Sequence, residues 1–315
     1  MVTAVIPVHN QKALLARLLA TLRAQTQPFA EIILVDNAST DGAADYPDLT
    51  VIRLPVNTGF AHAVNTGWQA ARTPLVAILN SDVELDPQWL EQLTTAIGDA
   101  GFATGTILQA ANPALIDGTF DLLSRAGCAW RAGFGQPADT LPATLTPIAL
   151  VPATACIYRR EVLERLGGFD ERFGSYLEDV DLGLRCLNAR IGGVFVPQAR
   201  AVHLGSATLG RWNPRVVRLL SRNQLLLIAR HYDRPLFFAC LWHILAGQLL
   251  WGIVSARHGA FLPWLAGKFD ALRVFRLEGS PDATFRAFLD ASEREINSRA
   301  REPYWRWYFR LTWHG

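Results

Sequence analysis

The stretch Ile32–Gly42, IILVDNASTDG, decides the fold class, because an apolar run passes directly into a turn-forming polar segment. It predicts a short buried strand over Ile32–Val35. Apolar runs of the same kind lie at Val2–Pro7 and Leu75–Leu79. Helical stripes separate these strands, so the sequence predicts an α/β fold with a mostly parallel sheet flanked by helices.

The remaining elements follow from the same reasoning. Helices are expected at Gln11–Gln25, Phe60–Arg72, Pro87–Ile97 and Arg160–Leu166, with a further one ending near Arg190. Strands are expected at Val51–Leu54, Ile148–Tyr158, Val194–Val196 and Ala201–His203. Residues 110–147 are rich in Ala, Pro, Gly and Thr, and we expect a long loop or small excursion there.

Charge is distributed unevenly along the chain. Residues 1–204 carry 14 Lys and Arg against 20 Asp and Glu, whereas residues 205–315 carry 16 against 8. We therefore expect two regions, one over 1–210 whose acidic side chains could hold a metal ion and a basic, helical one over 211–315 that could face an anionic partner. The four cysteines lie far apart, which excludes a CxxC-type metal ribbon and favours reduced thiols in the cytoplasm. The N-terminus opens directly into a strand, so no cleaved signal peptide is expected.

Polar residues follow three of the predicted strands. They are His9 with Asn10, Asp36 with Asn37, and Asn80 with Asp82. Ligands of such sheets bind outside the carboxyl ends of the strands, so a binding site is expected there.

Three residues have the chemistry for group transfer, and each has a structural alternative. Asp82 suits a metal ion or a turn, and Asp179 at a helix start suits a general base or a helix cap. His203 at a strand end suits a metal ion or a structural hydrogen bond. Asp181, four residues before Arg185, is expected to form a structural ion pair.

The loop residues offer a second set of polar groups. Asp36 and Asn37 suit contacts with a nucleobase or ribose, or the capping of a turn. Asn57, Gly59 and Asn65 could bring side-chain amides and a glycine backbone close to a bound nucleotide. The alternative is an ordinary loop–helix junction.

Taken in order, these segments resemble the family 2 glycosyltransferases of the GT-A fold, particularly bacterial rhamnosyltransferase-like members. The resemblance covers about residues 1–210. The segments that carry it are Val5–Asn10, Val35–Gly42, Asn57–Phe60 with Asn65, Leu79–Asp82, Gly168–Phe173, Glu178–Leu182 and His203.

The resemblance implies an inverting sugar transfer from a nucleotide diphosphate donor. Asp36 would bind the nucleobase, Asp82 and His203 would hold Mg²⁺ or Mn²⁺, and Asp179 would be the catalytic base. The other residues that would bind the donor are Pro7, His9, Asn37, Asn57, Gly59, Asn65, Asn80 and Ser81. Asn80 replaces the first acid of a DxD-type motif, and an amide is a weaker metal ligand than a carboxylate.

The resemblance also suggests substrates. A dTDP- or UDP-sugar, with rhamnose preferred, would be transferred to a hydroxyl of a glycan or lipid-linked acceptor in cell-surface polysaccharide synthesis at the cytoplasmic face of the membrane. One alternative is a non-catalytic nucleotide-sugar-binding protein, which the presence of Asn80 favours. The other is a nucleotidyltransferase. The latter would normally need a Gly-rich basic loop after the first strand. Nucleic acid is not an expected partner.

The C-terminal third contains an uncharged stretch, Pro235–Ala256. As a helix it would be about 33 Å long, enough to cross a bilayer, although His243 and Gln248 weaken that interpretation. We expect residues 211–265 to contact a membrane, either lying on it or spanning it. Packing on the catalytic domain or forming a homo-oligomer is the alternative.

Overall fold

The computed structural model describes residues 1–204 and 212–313. Within these residues the chain forms two compact units. The first unit contains residues 1–120 and 133–204, and the second unit contains residues 121–132 and 212–313. The predicted domain boundary between residues 210 and 211 lies outside the described residues.

The secondary structure is numbered here in chain order. The strands are β1 Val2–Val8, β2 Glu31–Asp36, β3 Thr50–Arg53, β4 Leu75–Leu79, β5 Val83–Leu85, β6 Phe102–Gln109, β7 Asn112–Gly118, β8 Asp121–Leu123, β9 Ala129–Arg131, β10 Thr146–Ile148, β11 Ala155–Arg159 and β12 Gly193–His203. The helices are α1 Lys12–Arg23, α2 Phe60–Ala70, α3 Trp89–Ala96, α4 Arg160–Leu166, α5 Glu178–Asn188, α6 Pro214–His231, α7 Arg234–Ala239, α8 Leu241–Arg257, α9 Phe261–Leu272, α10 Ala283–Arg299 and α11 Pro303–Thr312.

The first unit is built on one sheet with the strand order β10–β12–β6–β11–β4–β1–β2–β3. Strands β1 to β4 pair in parallel, and β6 pairs in parallel with β12. Strand β11 lies antiparallel between β4 and β6. Consequently β1, β2, β4, β6 and β12 all point the same way, and their carboxyl ends share one edge of the sheet. We call this the carboxyl edge.

The core explains why these segments fold as they do. All seven residues of β1 are buried, as a central parallel strand requires. The leucine stripe expected on α1 consists of Leu14, Leu15, Leu18, Leu19 and Leu22. All but Leu14, which stays partly exposed, are buried within the same cluster as the sheet. Each such burial contributes about 1.5–3 kcal/mol, so this stripe fixes the helix against the sheet.

The prediction of a loop over residues 110–147 was wrong. Strands β7, β8, β9 and β10 all lie there. Strand β7 begins with Asn112, Pro113 and Ala114, which have low intrinsic strand propensity. It forms because it pairs antiparallel with β6, so tertiary pairing overrides local preference.

Three other predictions need correction. The single strand expected at Ile148–Tyr158 is two, because β10 ends at Ile148 and β11 begins only at Ala155. Strand β6 was not predicted, and the two strands expected at Val194–Val196 and Ala201–His203 are one continuous strand, β12. Its pairing with β6 shifts between Val196 and Arg200. At this irregularity Gly105 of β6 faces Ala199 so closely that a Cβ on Gly105 would lie 1.7 Å from the Ala199 carbonyl oxygen. The glycine that this contact requires interrupts the apolar pattern of β6.

The second unit consists of the β8–β9 hairpin and helices α6 to α11. Asn213 caps α6, because its side chain accepts a hydrogen bond from the Arg215 N–H at 2.9 Å. The expected continuous helix over Pro235–Ala256 is broken at Cys240, which separates α7 from α8. Among the described helices, none combines the length and apolarity that a membrane crossing needs. All four cysteines are buried and free.

Candidate active site

Asp36 ends β2 at the carboxyl edge, and its side chain is almost fully buried. Its Oδ1 accepts a hydrogen bond from the Ser39 N–H at 2.9 Å. Its Oδ2 lies 3.3 Å from Nη1 of Arg53, which ends β3. The carboxylate is thus held in place by one backbone amide and one guanidinium group.

Asn37 joins three loops at the same edge. Its Nδ2 donates to the Gly59 carbonyl at 3.0 Å, and its Oδ1 accepts from the Thr58 N–H at 2.8 Å. His9 Nδ1 lies 2.9 Å from the Asn37 carbonyl oxygen. A carbonyl oxygen only accepts, so Nδ1 of His9 carries the proton. Pro7 precedes this group, buried in β1 opposite Val35.

Asn57 and Gly59 shape the loop before α2. The Gly59 N–H donates to the side chain of Asn57 at 3.1 Å. Gly59 has a φ of 91°, and a Cβ there would lie 2.8 Å from the Gly174 carbonyl oxygen. Both the conformation and the close approach require glycine.

Asn65 uses its side chain inside the protein. Its amide nitrogen donates to the Phe169 carbonyl and to Glu171, and its oxygen accepts from Trp68 and from the Phe169 N–H. These bonds tie α2 to the segment before α5. The polar atoms of Asn65 are thus already hydrogen-bonded within the protein. Direct contact between Asn65 and a nucleotide stays a prediction.

Asp82 and His203 face one another at the carboxyl edge. His203 Nε2 lies 3.5 Å from Asp82 Oδ1, and both side chains are 11% exposed. The backbone enforces this approach, because Val83 pairs with His203 and the Leu204 N–H donates to the Asp82 carbonyl at 2.9 Å. The structure therefore brings together two residues that are far apart in the sequence.

Asp117 is a third member of this cluster that the sequence analysis missed. Its Oδ2 lies 2.8 Å from His203 Nδ1, so the carboxylate fixes the orientation and tautomer of the ring. Asp117 lies on β7, in the stretch predicted to be a loop. Nothing in the local sequence distinguishes this residue from a surface aspartate, and only the pairing of β7 with β6 reveals it.

The donor set fits a shared divalent cation. A separation of 3.5 Å between His203 Nε2 and Asp82 Oδ1 is too long for a good hydrogen bond. Two ligands at about 2.1 Å from one ion lie about 3 to 3.5 Å apart. The Asp117 carboxylate behind His203 is also the usual second partner of a metal-binding histidine. Among the described residues, no group of three or more His, Cys, Asp or Glu side chains is arranged to hold a metal. An ion on Asp82 and His203 would therefore take its other ligands from water or from a bound molecule.

Asn80 and Ser81 connect β4 to Asp82. The Asn80 N–H donates to the Thr154 carbonyl at 2.9 Å. Ser81 is buried, and its hydroxyl donates to the side chain of Gln11. These bonds fix the loop that carries Asp82.

Asp179 lies at the start of α5 and bonds to the turn that precedes β11, the strand next to β4. Its Oδ2 accepts from the Ala153 N–H at 3.0 Å, and its Oδ1 accepts from the Val180 N–H at 2.8 Å. Ala153 is adjacent to Thr154, which bonds to Asn80. Asp179 is therefore at the carboxyl edge, on the segment beside the loop of Asp82.

The neighbours of Asp179 have structural roles. Asp181 is buried and pairs with Arg185 at 2.8 Å, which confirms the predicted ion pair. Glu178 is buried with one oxygen lacking a partner, and this burial, with the charge of Asp179, raises the pKa of Glu178 well above its usual value. Two non-glycine residues with positive φ, Tyr176 and Leu177, precede the helix, and such strained backbone often accompanies functional sites.

The chain is similar in sequence to a known protein family and to several of its bacterial relatives. Residues 3–167 match the model of a family described as Glycosyl transferase family 2. The chain is 34% identical over 228 residues to the O-antigen biosynthesis protein RfbC of Myxococcus xanthus, covering 66% of this chain and only 17% of that protein. It is 29% identical to an N-acetylglucosaminyl-diphospho-decaprenol L-rhamnosyltransferase of Mycobacterium tuberculosis, covering 62% of this chain and 74% of that one.

A solved structure supports the fold. GalNAc-T7, determined with UDP, GalNAc and Mn²⁺, aligns with a TM-score of 0.66 at 16% identity, covering 95% of this chain and 57% of that one. The predicted GT-A type α/β fold, with helices at the C-terminus, is confirmed.

Proposed function

The chain belongs to glycosyl transferase family 2, and we propose that it transfers a sugar, with inversion, from a nucleotide diphosphate donor to an acceptor hydroxyl. The observation that carries the proposal is the shared carboxyl edge of Asp36, Asp82, Asp179 and His203. Their approach there is supported by the Asp82–His203 contact of 3.5 Å and by the bond of Asp179 to Ala153.

Asp82 and His203 would hold the divalent cation, Mg²⁺ or Mn²⁺, with Asp117 orienting the histidine. Such an ion supplies positive charge that stabilises the departing diphosphate. The Mn²⁺ bound by GalNAc-T7, which shares the fold, is consistent with this assignment. Asn80 would contribute an amide where related sites use a second acid, which predicts weaker metal binding.

Asp179 is the proposed general base. The acceptor hydroxyl gives its proton to an oxygen of Asp179 while its own oxygen forms a bond to the anomeric carbon. The bond from that carbon to the diphosphate oxygen breaks on the opposite side, and the configuration inverts. The hydrogen bonds from Ala153 and Val180 hold the carboxylate in one orientation, so it is positioned before the acceptor arrives.

Asp36 is proposed to bind the nucleobase. Its carboxylate can accept an N–H of the base, and Arg53 at 3.3 Å can donate to a neighbouring carbonyl. The remaining donor-binding residues proposed are Pro7, His9, Asn37, Asn57, Gly59, Asn65, Asn80 and Ser81. The proposed donor is a dTDP- or UDP-sugar, with rhamnose first, and the proposed acceptor is a glycan or lipid-linked glycan in polysaccharide synthesis at the cytoplasmic face of the membrane. The names of the relatives, an L-rhamnosyltransferase and an O-antigen biosynthesis protein, support the choice of rhamnose and of a polysaccharide.

A donor panel tests the proposal. The purified chain is incubated with dTDP-, UDP- and GDP-sugars, each with and without a chelator, and release of nucleoside diphosphate is measured alongside donor binding by calorimetry. We expect release from a dTDP- or UDP-sugar that stops with the chelator. A donor that binds but is never cleaved, even with lipid-linked and free glycan acceptors, would favour the non-catalytic alternative instead.

A further inference from the structure

Helix α8 of the second unit exposes a continuous row of apolar side chains. Leu241, Leu245, Leu249 and Ile253 follow one another at intervals of four residues, and each is between 36% and 59% exposed. Residues at this spacing share one face of a helix. The opposite side of α8 is buried, with Ile244, Gly247 and Gln248 among its inward residues, so the exposed row is a separate feature from the core.

The two helices that pack beside α8 extend this row. On α9, Leu262, Phe269 and Leu272 are exposed, and Leu262 reaches 73%. This helix contacts α8 where Trp264 covers Gly252.

On the other neighbour, α11, Trp307 and Leu311 are exposed, followed by Trp313. The indole N–H of Trp242, itself exposed on α8, donates to the Leu311 carbonyl at 2.8 Å. We call the exposed apolar side chains of these three helices the apolar face. By contrast Trp305 is buried, and Trp251 and Trp264 pack inward.

The charges in the stretch that contains α8 and α9 are predominantly positive. Between residues 234 and 277 the sequence has a single acidic residue, Asp270, and its carboxylate binds Arg218 at 2.6 Å. In the same stretch Arg234, Arg257, Arg273 and Arg276 are exposed. On α11 the guanidinium of Arg310 lies 5.1 Å from the ring of Trp307. A partner for this face must therefore combine apolar groups with negative charge.

We propose that the apolar face lies on the surface of an anionic phospholipid bilayer, with the three helices roughly parallel to the membrane plane. The side chains enter the boundary between headgroups and acyl chains, the tryptophans lie at the interface, and the arginines contact lipid phosphates. A second copy of this chain fits less well, because a two-fold contact would bring the same arginine-rich rims together. This inference goes beyond sugar transfer and does not depend on it.

Vesicle co-sedimentation tests the proposal with the full chain. We compare phosphatidylglycerol–phosphatidylcholine vesicles with pure phosphatidylcholine vesicles, at low and high salt. We expect binding to the anionic vesicles that weakens as salt rises, since charge attraction is screened. Leu249→Glu and Leu262→Glu should each weaken it at least ~10-fold, and Arg257→Gln about 5-fold. Leu145→Glu, an equally exposed apolar site in the first unit, is the matched control and should bind as the unchanged chain does.

Several results would overturn the proposal. One is equal binding to neutral and anionic vesicles, and another is binding that survives Leu249→Glu and Leu262→Glu. A third is a chain that ignores vesicles but forms a dimer in analytical ultracentrifugation that both variants abolish, because the apolar face would then be a contact between copies. Circular dichroism of each variant verifies folding. Donor cleavage is measured separately, so failure here leaves the proposed chemistry standing.

Discussion

Two buried or partly buried carboxylates, one in each unit, have opposite surroundings. In the second unit Glu293 is 1% exposed, and its oxygens accept from the Arg125 backbone N–H, the Arg125 guanidinium and the Tyr308 hydroxyl at 2.6 Å. In the first unit Asp179 accepts two hydrogen bonds, both from backbone N–H groups. The Glu293 carboxylate, surrounded by a cation and a hydroxyl, stabilises the fold, whereas the Asp179 carboxylate, whose hydrogen bonds within the described part of the chain come from backbone amides, would keep lone pairs for a substrate.

The largest effect predicted from this comparison is on stability. Glu293→Gln should lower the free energy of unfolding by about 3 kcal/mol, because it removes the buried one of the two carboxylates that pair with the half-buried Arg125, the other being Asp290. Urea denaturation followed by circular dichroism measures the loss. Glu295→Gln, whose partly exposed carboxylate pairs with Arg299 on the same helix, is the matched control and should cost about 0.5 kcal/mol or less.

The variant also separates stability from catalysis. Where the Glu293→Gln protein remains folded, its turnover per folded molecule should match that of the unchanged chain. A variant that is fully stable but inactive would mean that Glu293 belongs to the chemistry, and the contrast between the units would be lost.

The second effect is on turnover rather than mainly on stability. Asp179→Asn should reduce kcat by at least ~10²-fold, because the amide cannot take the acceptor proton. Donor affinity should change little, whereas the free energy of unfolding should fall by about 1–2 kcal/mol, because the asparagine side chain has one acceptor oxygen for the two N–H groups that now donate to Asp179. Steady-state kinetics, donor calorimetry and urea denaturation measure these quantities, and Asp139→Asn, an exposed carboxylate of the same unit, is the control. Near-normal kcat would remove Asp179 from the role of base.

The carboxyl edge could be predicted because parallel strands impose it. Once the strands before His9, Asp36 and Asn80 are recognised, their polar successors must gather at one edge, whatever the loops do. The order of the motifs also indicated His203 and Asp82 as candidate site residues. Their approach to 3.5 Å, however, depends on the pairing of β5 with β12.

What the sequence could not predict depends on pairing between distant segments. Strand β7 has little strand propensity of its own, so Asp117 had no recognisable context. The apolar stretch Pro235–Ala256 suggested one long helix, whereas the chain turns at Cys240 and buries one side of α8. Hydropathy alone did not distinguish the buried residues of that stretch from those of the apolar face, because both sides of α8 are apolar.

The smallest effect concerns Asp117, and it tests whether the carboxylates of the first unit form a working metal site. Asp117→Asn keeps an acceptor for His203 Nδ1 but removes the negative charge, so the ring becomes a weaker ligand. Mn²⁺ affinity, measured by calorimetry and by the Mn²⁺ dependence of donor cleavage, should fall about 10-fold, and saturating Mn²⁺ should restore activity. Asp48→Asn, an exposed aspartate that pairs with Arg23, should leave both measurements unchanged. If Asp117→Asn binds Mn²⁺ normally while Asp82→Asn does not, the Asp117–His203 contact has a purely structural role. Asp117 would then resemble Glu293 of the second unit, whose carboxylate stabilises the fold.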